Sequence, residues 1–266
     1  MLGQQEIKTR LLELPNVTYL PNSMLFLGEK GCGKHTLANE VSNHYRLALL
    51  DITKNVSYES IEEIYLNPTQ AFYLINVDEI SERQQNALLK FIEEPLPSSF
   101  IILISSSKTH LLETIVNRCV AYEFKPYTKE ELKEFIQDGD VDDILSLCTT
   151  PGQILSLNTK SLEGLHTLCD TMIDKLGIAK YPNALKIVKK INYKDEYDKY
   201  DFNIFLNCYK LHLMNKILVD NSKLYLDLYN ILVKTCELLS INNINKEYFM
   251  EYLITKLWER CKDEVK

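Results

Sequence analysis

At 266 residues, 45% of them apolar, the chain is long enough for two or three small domains, each with its own core. A net charge of −7 excludes a protein whose whole surface grips nucleic acid, so any DNA contact is local or shared with partners. No run approaches the roughly 18 to 20 apolar residues that span a bilayer, and the opening MLGQQEIKTR has no signal-peptide core, so a soluble, cytoplasmic protein without a membrane partner is expected.

In chain order, SMLFLG (23–28) reads as a buried strand that runs into a glycine-rich loop, and KHTLANEVSNHY (34–45) as the helix that follows, with Leu37 and Val41 on one face. LALLDI (47–52), AFYLINVDE (71–79) and SFIILISSS (99–107) are further runs of strand length, and SERQQNALLKFIEE (81–94) is a helix between the last two. Strands alternating with helices predict an α/β domain over 1–124, a mostly parallel sheet covered by helices on both faces. Pro126 ends a strand, and Thr128 caps a helix with Glu130 and Glu131 in its first turn. From there the period is helical. DVDDILSLC (140–148) and GQILSL (152–157) read as short helices joined by a turn at Pro151 and Gly152. Longer helices are predicted at 162–178, 182–191, 201–219, 222–239 and 246–262, giving a small helical domain at 125–160 and an all-α bundle at 161–266. The lysine- and tyrosine-rich KIVKKINYKDEYDKY (186–200) is read as a solvated helix face and connection, because acids interrupt its basic residues.

The cysteines (Cys32, Cys119, Cys148, Cys169, Cys208, Cys236 and Cys261) form no C-x-x-C pair and no cluster with histidine along the chain. They are expected to be buried free thiols, with no zinc site and no disulfide framework. His44 and His110 are assigned no catalytic role.

Residues 26–38, FLGEKGCGKHTLA, approach the phosphate-binding pattern G-x-x-x-x-G-K-[ST]. Gly28, Gly31 and Gly33 allow the backbone to turn tightly and aim N–H groups at phosphate oxygens, while Lys34 stands where its ammonium meets the β- and γ-phosphates. The expected ligand is ATP or ADP with Mg²⁺. His35 occupies the hydroxyl position, and imidazole is a poor ligand for a cation that prefers hard oxygen donors. Thr36 does not take over, since one helical residue turns the side chain by about 100°. Downstream, Asp78 would hold Mg²⁺ through water and Glu79 would polarise the attacking water; an acidic strand end facing solvent is the alternative. Nucleotide binding is thus expected to survive better than metal-assisted hydrolysis.

The run DEISERQQNALLKFIEEPLPSSFIILISSS (78–107), followed by TIVNRC (114–119), resembles AAA+ clamp-loader subunits in its motifs and their order. The opening LGQQEIKTRL, the TTPGQILSL segment (149–157) and NKEYFMEYLITKLWE (245–259) are similar to that family's N-terminal box, lid and last collar helix. The resemblance implies a P-loop AAA+ domain, a lid at 125–160 and an oligomerisation collar at 161–266. It implies a ring with other clamp-loader subunits, a sliding clamp and primer–template DNA as partners, and adds Ser106 to the nucleotide contacts. It also implies that Arg118 acts in trans, as a finger on a neighbour's ATP, with an ordinary surface ion pair as the alternative. Asn117 replaces the family's usual serine, Gln153 replaces the sensor arginine of active subunits, and the family's zinc module is missing after the P-loop helix. A kept finger beside an altered site at His35 and Gln153 resembles the delta-prime subunit of bacterial DNA polymerase III. An active ATPase of the tau/gamma kind, or a scaffold of another replication or repair assembly, stays open as an alternative. The residues leave open whether the nucleotide site is empty, occupied and inert, or slowly active.

Overall fold

Aliphatic and aromatic runs near the N-terminus build a five-stranded sheet. In the computed structural model, which describes residues 3–157, 159–176, 181–192, 200–220, 222–241 and 245–263, strands and helices alternate from the start. The order is α1 (Gln5–Leu12), β1 (Ser23–Leu27), α2 (Lys34–Tyr45), β2 (Ala48–Asp51), α3 (Tyr58–Leu66), β3 (Ala71–Asn76), α4 (Glu82–Glu93), β4 (Phe100–Ser105), α5 (Glu113–Val116), β5 (Val120–Glu123) and α6 (Lys129–Lys133). Spatially the strands run β2-β3-β4-β1-β5, and every neighbouring pair is parallel.

Side chains alternate across a strand, and the two faces of this sheet separate cleanly. Met24, Phe26, Phe72, Leu74, Ile102 and Ile104 pack with Ile7 and Leu11 of α1 and with Leu37 and Val41 of α2. Leu25, Leu27, Tyr73, Ile75, Ile101 and Leu103 face the other way, onto Ile61 of α3, Leu88 and Phe91 of α4, and Ile115 of α5. Both faces are therefore dry, which is why these strands read as continuous apolar runs. Local capping agrees with the packing. Ser81 and Gln84 close a capping box on α4, and Thr128, the cap expected from the sequence, closes one with Glu131 on α6.

The described residues that follow are mostly helical: α7 (Val141–Leu147), α8 (Pro151–Ser156), α9 (Thr159–Lys175), α10 (Tyr181–Ala184), α11 (Phe202–Asp220), α12 (Lys223–Ile241) and α13 (Lys246–Asp263). Helix α11 packs on α9 and α12, and α12 on α13. Phe249, Leu253 and Leu257 line the buried side of α13 at the predicted spacing. Two local expectations need correction. Pro151 and Gly152 do not form a turn before a helix; they open α8, because proline fits the first helical turn, where its missing N–H is not needed. The predicted helix at 182–191 is instead α10 followed by a 3₁₀ stretch (Leu185–Lys190), with a short strand, Ile191–Asn192, paired to Tyr200–Asp201. Within 186–200, residues 193–199 lie outside the described residues.

The chain divides into two compact units, 1–135 with 149–152, and 136–148 with 153–266. Among the described residues, no helix is long and apolar enough to cross a membrane. Five cysteines are buried, and Cys119 and Cys236 are half-buried.

Histidine and cysteine do not cluster along the chain, but packing gathers three of them in space. Packing of α9 on α11 brings His166 Nδ1 within 2.7 Å of His212 Nε2, with Cys208 Sγ 3.7 Å from His166 Nδ1. His166 lies more than 40 positions from Cys208 and His212 in the chain, so only the register of two helices brings them together.

Candidate nucleotide site

Because β1, β3 and β4 run in the same direction, their C-terminal ends deliver three loops to one edge of the sheet, the edge where open α/β sheets bind ligands. Leu27 pairs with Ser105, and the Gly28 N–H donates to the Ser105 carbonyl at 3.1 Å, so the phosphate-binding loop starts anchored to β4. Gly33, at φ 97°, caps α2 in the left-handed region, a conformation that side chains disfavour. Lys34 then begins α2 with its side chain folded back into the loop. Its ammonium donates to the carbonyls of Gly28 and Glu29 (2.9 Å for the latter) and lies 3.9 Å from Cys32 Sγ. Burial holds the Lys34 amine below the usual lysine range, and burial likewise pushes the Cys32 thiol up.

A second segment clasps the loop from outside. Thr149 Oγ1 donates to Glu29 Oε1 (2.9 Å), Thr150 Oγ1 to the Lys30 carbonyl (3.2 Å), and the Gly152 N–H to the Gly31 carbonyl (2.9 Å). The backbones touch here. A Cβ placed on Gly152 would stand 2.6 Å from Gly31 Cα, and one on Gly31 would stand 2.7 Å from Thr150 Oγ1. Sequence reading missed this clasp; its one signal is the Thr-Thr-Pro-Gly string, which reads as a turn.

Asp78 sits in the 3₁₀ turn Val77–Glu79, directly after β3. Ser105 Oγ donates to its Oδ1 at 2.7 Å and the Ser106 N–H to its Oδ2 at 2.7 Å, so both carboxylate oxygens are fixed by the end of β4. Ser106 is thus placed beside Asp78 through its backbone, while Ser105, which the sequence did not single out, supplies the hydroxyl. Asn76 organises the same turn. Its Oδ1 accepts from the Asp78 N–H, and its Nδ2 donates to Glu79 Oε1 at 2.7 Å, which orients an exposed carboxylate.

His35 and Thr36 both lie exposed on the first turn of α2. Asn39 Nδ2 lies 3.0 Å from His35 Nδ1 and 3.0 Å from the His35 carbonyl; an amide nitrogen only donates, so Nδ1 accepts and Nε2 keeps the proton. The cradle of glycines and a buried lysine fits a phosphate chain. The metal side fits less well. Asp78 still has lone pairs for a water-mediated contact, but at His35 the loop offers a ring nitrogen in place of an oxygen ligand.

Arg118 lies between α5 and β5, away from these loops in sequence and in its contacts. Its Nε pairs with Glu93 Oε1 of α4 at 2.8 Å and its Nη1 donates to the Thr114 carbonyl at 3.0 Å, with the side chain 42% exposed. Gln153, in the other unit, is buried, and its carbonyl accepts from Ser156 Oγ and the Leu157 N–H.

The profile of the family described as DNA polymerase III, delta subunit matches residues 48–128, from β2 through β5 to the cap of α6. The delta-prime subunit of Bacillus subtilis DNA polymerase III is 28% identical over 111 residues, 38% of this chain and 34% of that protein. The Haemophilus influenzae delta-prime subunit is 24% identical over 162 residues, 56% and 48% of the two chains. A replication factor C small subunit of Staphylothermus marinus is 26% identical over 149 residues, 50% and 45%. The aligned stretches thus span no more than half the length of these relatives. Among solved structures, a DNA polymerase III gamma subunit-related protein of Thermotoga maritima superposes with a TM-score of 0.50 at 17% identity, covering 97% of this chain and 100% of that one. The RuvB Holliday junction branch migration motor of the same organism gives 0.51 at 15%, covering 99% and 88%. The parallel sheet, its glycine-rich loop and the helices that follow have an AAA+ fold, and the chain resembles the clamp-loader subunits of DNA polymerase III.

Proposed function

We propose that this protein is a delta-prime-like stator in a ring-shaped sliding-clamp loader for DNA replication, organised as an AAA+ domain (1–124), a lid (125–160) and a collar (161–266). In this reading it donates Arg118 to the ATP of a neighbouring subunit, while its own loop binds nucleotide without turning it over efficiently. The observation that carries the reading is the contrast within the site. The phosphate cradle is intact, whereas the hydroxyl that would meet Mg²⁺ is replaced by His35, whose Nδ1 is held by Asn39. Gly28, Gly31, Gly33 and Lys34 would hold the phosphates, and Asp78 would hold Mg²⁺ through water. When bound, the metal supplies charge neutralisation at the phosphates. Ser105 and Ser106 keep the Asp78 carboxylate in place, and Asn76 keeps Glu79 aimed.

Arg118 suits a role in trans because its partner Glu93 is a half-exposed surface carboxylate. An exposed pair is worth only about 0.2–1 kcal/mol, so it is released at little cost when a phosphate competes. The test is ATP turnover by the reconstituted loader, with sliding clamp and primed DNA, comparing wild type with Arg118→Ala. The proposal expects the turnover of the neighbouring subunit to fall on the order of 10³-fold with assembly unchanged. Equal turnover in both proteins would leave Arg118 as nothing more than a surface ion pair. The second reading, an active ATPase subunit, is favoured by the retained Lys34, Asp78 and Glu79; Mg²⁺-dependent hydrolysis by this chain alone, abolished in Glu79→Gln, would replace the stator reading.

A further inference from the structure

Away from the nucleotide loop, the helical unit gathers a set of ligating side chains that clamp-loader function does not call upon. Helix α9 contributes His166, and α11 contributes Cys208 and His212, four apart and therefore on one face of that helix. His166 Nδ1, His212 Nε2 and Cys208 Sγ all lie within 4.8 Å of one another. Cys208 is fully buried.

The outward nitrogens of both rings are already committed. His166 Nε2 is 2.9 Å from Asp143 Oδ2 on α7, and His212 Nδ1 is 2.8 Å from Asp170 Oδ1 on α9. A carboxylate accepts, so each outward nitrogen carries the proton and each inward nitrogen presents a lone pair. Two lone pairs 2.7 Å apart repel, so either a proton shared between the rings or a metal cation accounts for the approach. A carboxylate behind each histidine is the arrangement that fixes the tautomer of metal-ligating imidazoles. The Cys208–His166 separation of 3.7 Å is close to the edge of about 3.6 Å expected in a zinc tetrahedron with bonds of about 2.05 Å to nitrogen and 2.3 Å to sulfur. The two nitrogens need to open to about 3.3 Å, a shift of about 0.6 Å that small ring rotations supply.

We infer that the helical unit binds one zinc ion through His166, Cys208 and His212, clipping α9 to α11. Two nitrogens and one thiolate suit Zn²⁺ better than Mg²⁺ or Ca²⁺, which seek oxygen.

The test uses the full chain, stripped with a chelator and titrated with Zn²⁺ and then with Co²⁺ as a spectroscopic stand-in. One metal per chain is expected, with the visible bands of tetrahedral Co²⁺ and a thiolate charge-transfer band. Cys208→Ser and His212→Gln should each lose the tetrahedral spectrum, and Cys208→Ser the charge-transfer band with it. Asp170→Asn, which removes no ligand, should weaken affinity about 10- to 100-fold while keeping the band position. Cys119→Ser, a cysteine outside the cluster, should match wild type. Folding of every variant is followed by circular dichroism. A folded wild type that takes up no metal, or a cobalt spectrum indifferent to Cys208→Ser, would overturn the proposal and leave two histidines sharing a proton.

Discussion

The two units assemble their chemistry in opposite ways. In the sheet unit the functional groups are largely backbone, namely loop carbonyls around Lys34, the Ser106 N–H on Asp78 and glycines that let main chains touch. In the helical unit they are side chains, drawn from three helices into one cluster by packing register. A backbone site is fixed by a short contiguous string and tolerates few changes of shape. A side-chain site is fixed by how two helices mesh, and nothing local in the chain announces it.

The largest expected effect breaks the idea that the phosphate loop is self-sufficient. In Gly152→Val the new Cβ meets Gly31 Cα at 2.6 Å, a backbone atom that cannot rotate away. The substitution should cost about 1–3 kcal/mol of stability and weaken nucleotide binding, read by urea unfolding and by calorimetric titration. Stability and binding like those of wild type would mean that the clasp is incidental. Next in size, His35→Thr returns an oxygen ligand to the loop. Affinity for ATP should rise roughly tenfold with Mg²⁺, about 1.4 kcal/mol, and stay level without it. An equal gain under both conditions would locate the defect in phosphate binding instead of the metal. The smallest effect lies in the helical unit, where the fully buried Tyr209 hydroxyl has no hydrogen-bond partner among the described residues. Tyr209→Phe should raise stability by up to about 1 kcal/mol in the same unfolding experiment, since it removes a desolvated group and keeps the ring. A loss would show that the hydroxyl is paired, for instance with buried water.

What could be read from the sequence divides along the same line. The loop, α2, the strands and Asp78 were legible because a strand–loop–helix motif and period-2 runs are properties of neighbouring residues. Thr128 was legible as a cap for the same reason. The clasp was not, because Thr149, Thr150 and Gly152 reach the loop from about 120 positions downstream. Helix α8 was started too late, since Pro151 serves both turns and first helical positions. The histidine–cysteine cluster had a signal that went unused: Cys-x-x-x-His at helical spacing within a predicted helix. It becomes informative only once α9 is known to pack on α11.

The clasp also makes the nucleotide unit discontinuous along the chain, which leaves at Phe135 and returns for Thr149–Gly152. A fragment cut after Phe135 would include every residue of the phosphate-binding motif and still lack the three donors that hold Glu29, Lys30 and Gly31. Those acceptors would turn to water and the loop would lose its outer wall. An isolated AAA+ fragment of this protein therefore has to run through α8 to be a fair test of nucleotide binding, and a negative result from a shorter piece would report on the cut, not on the site.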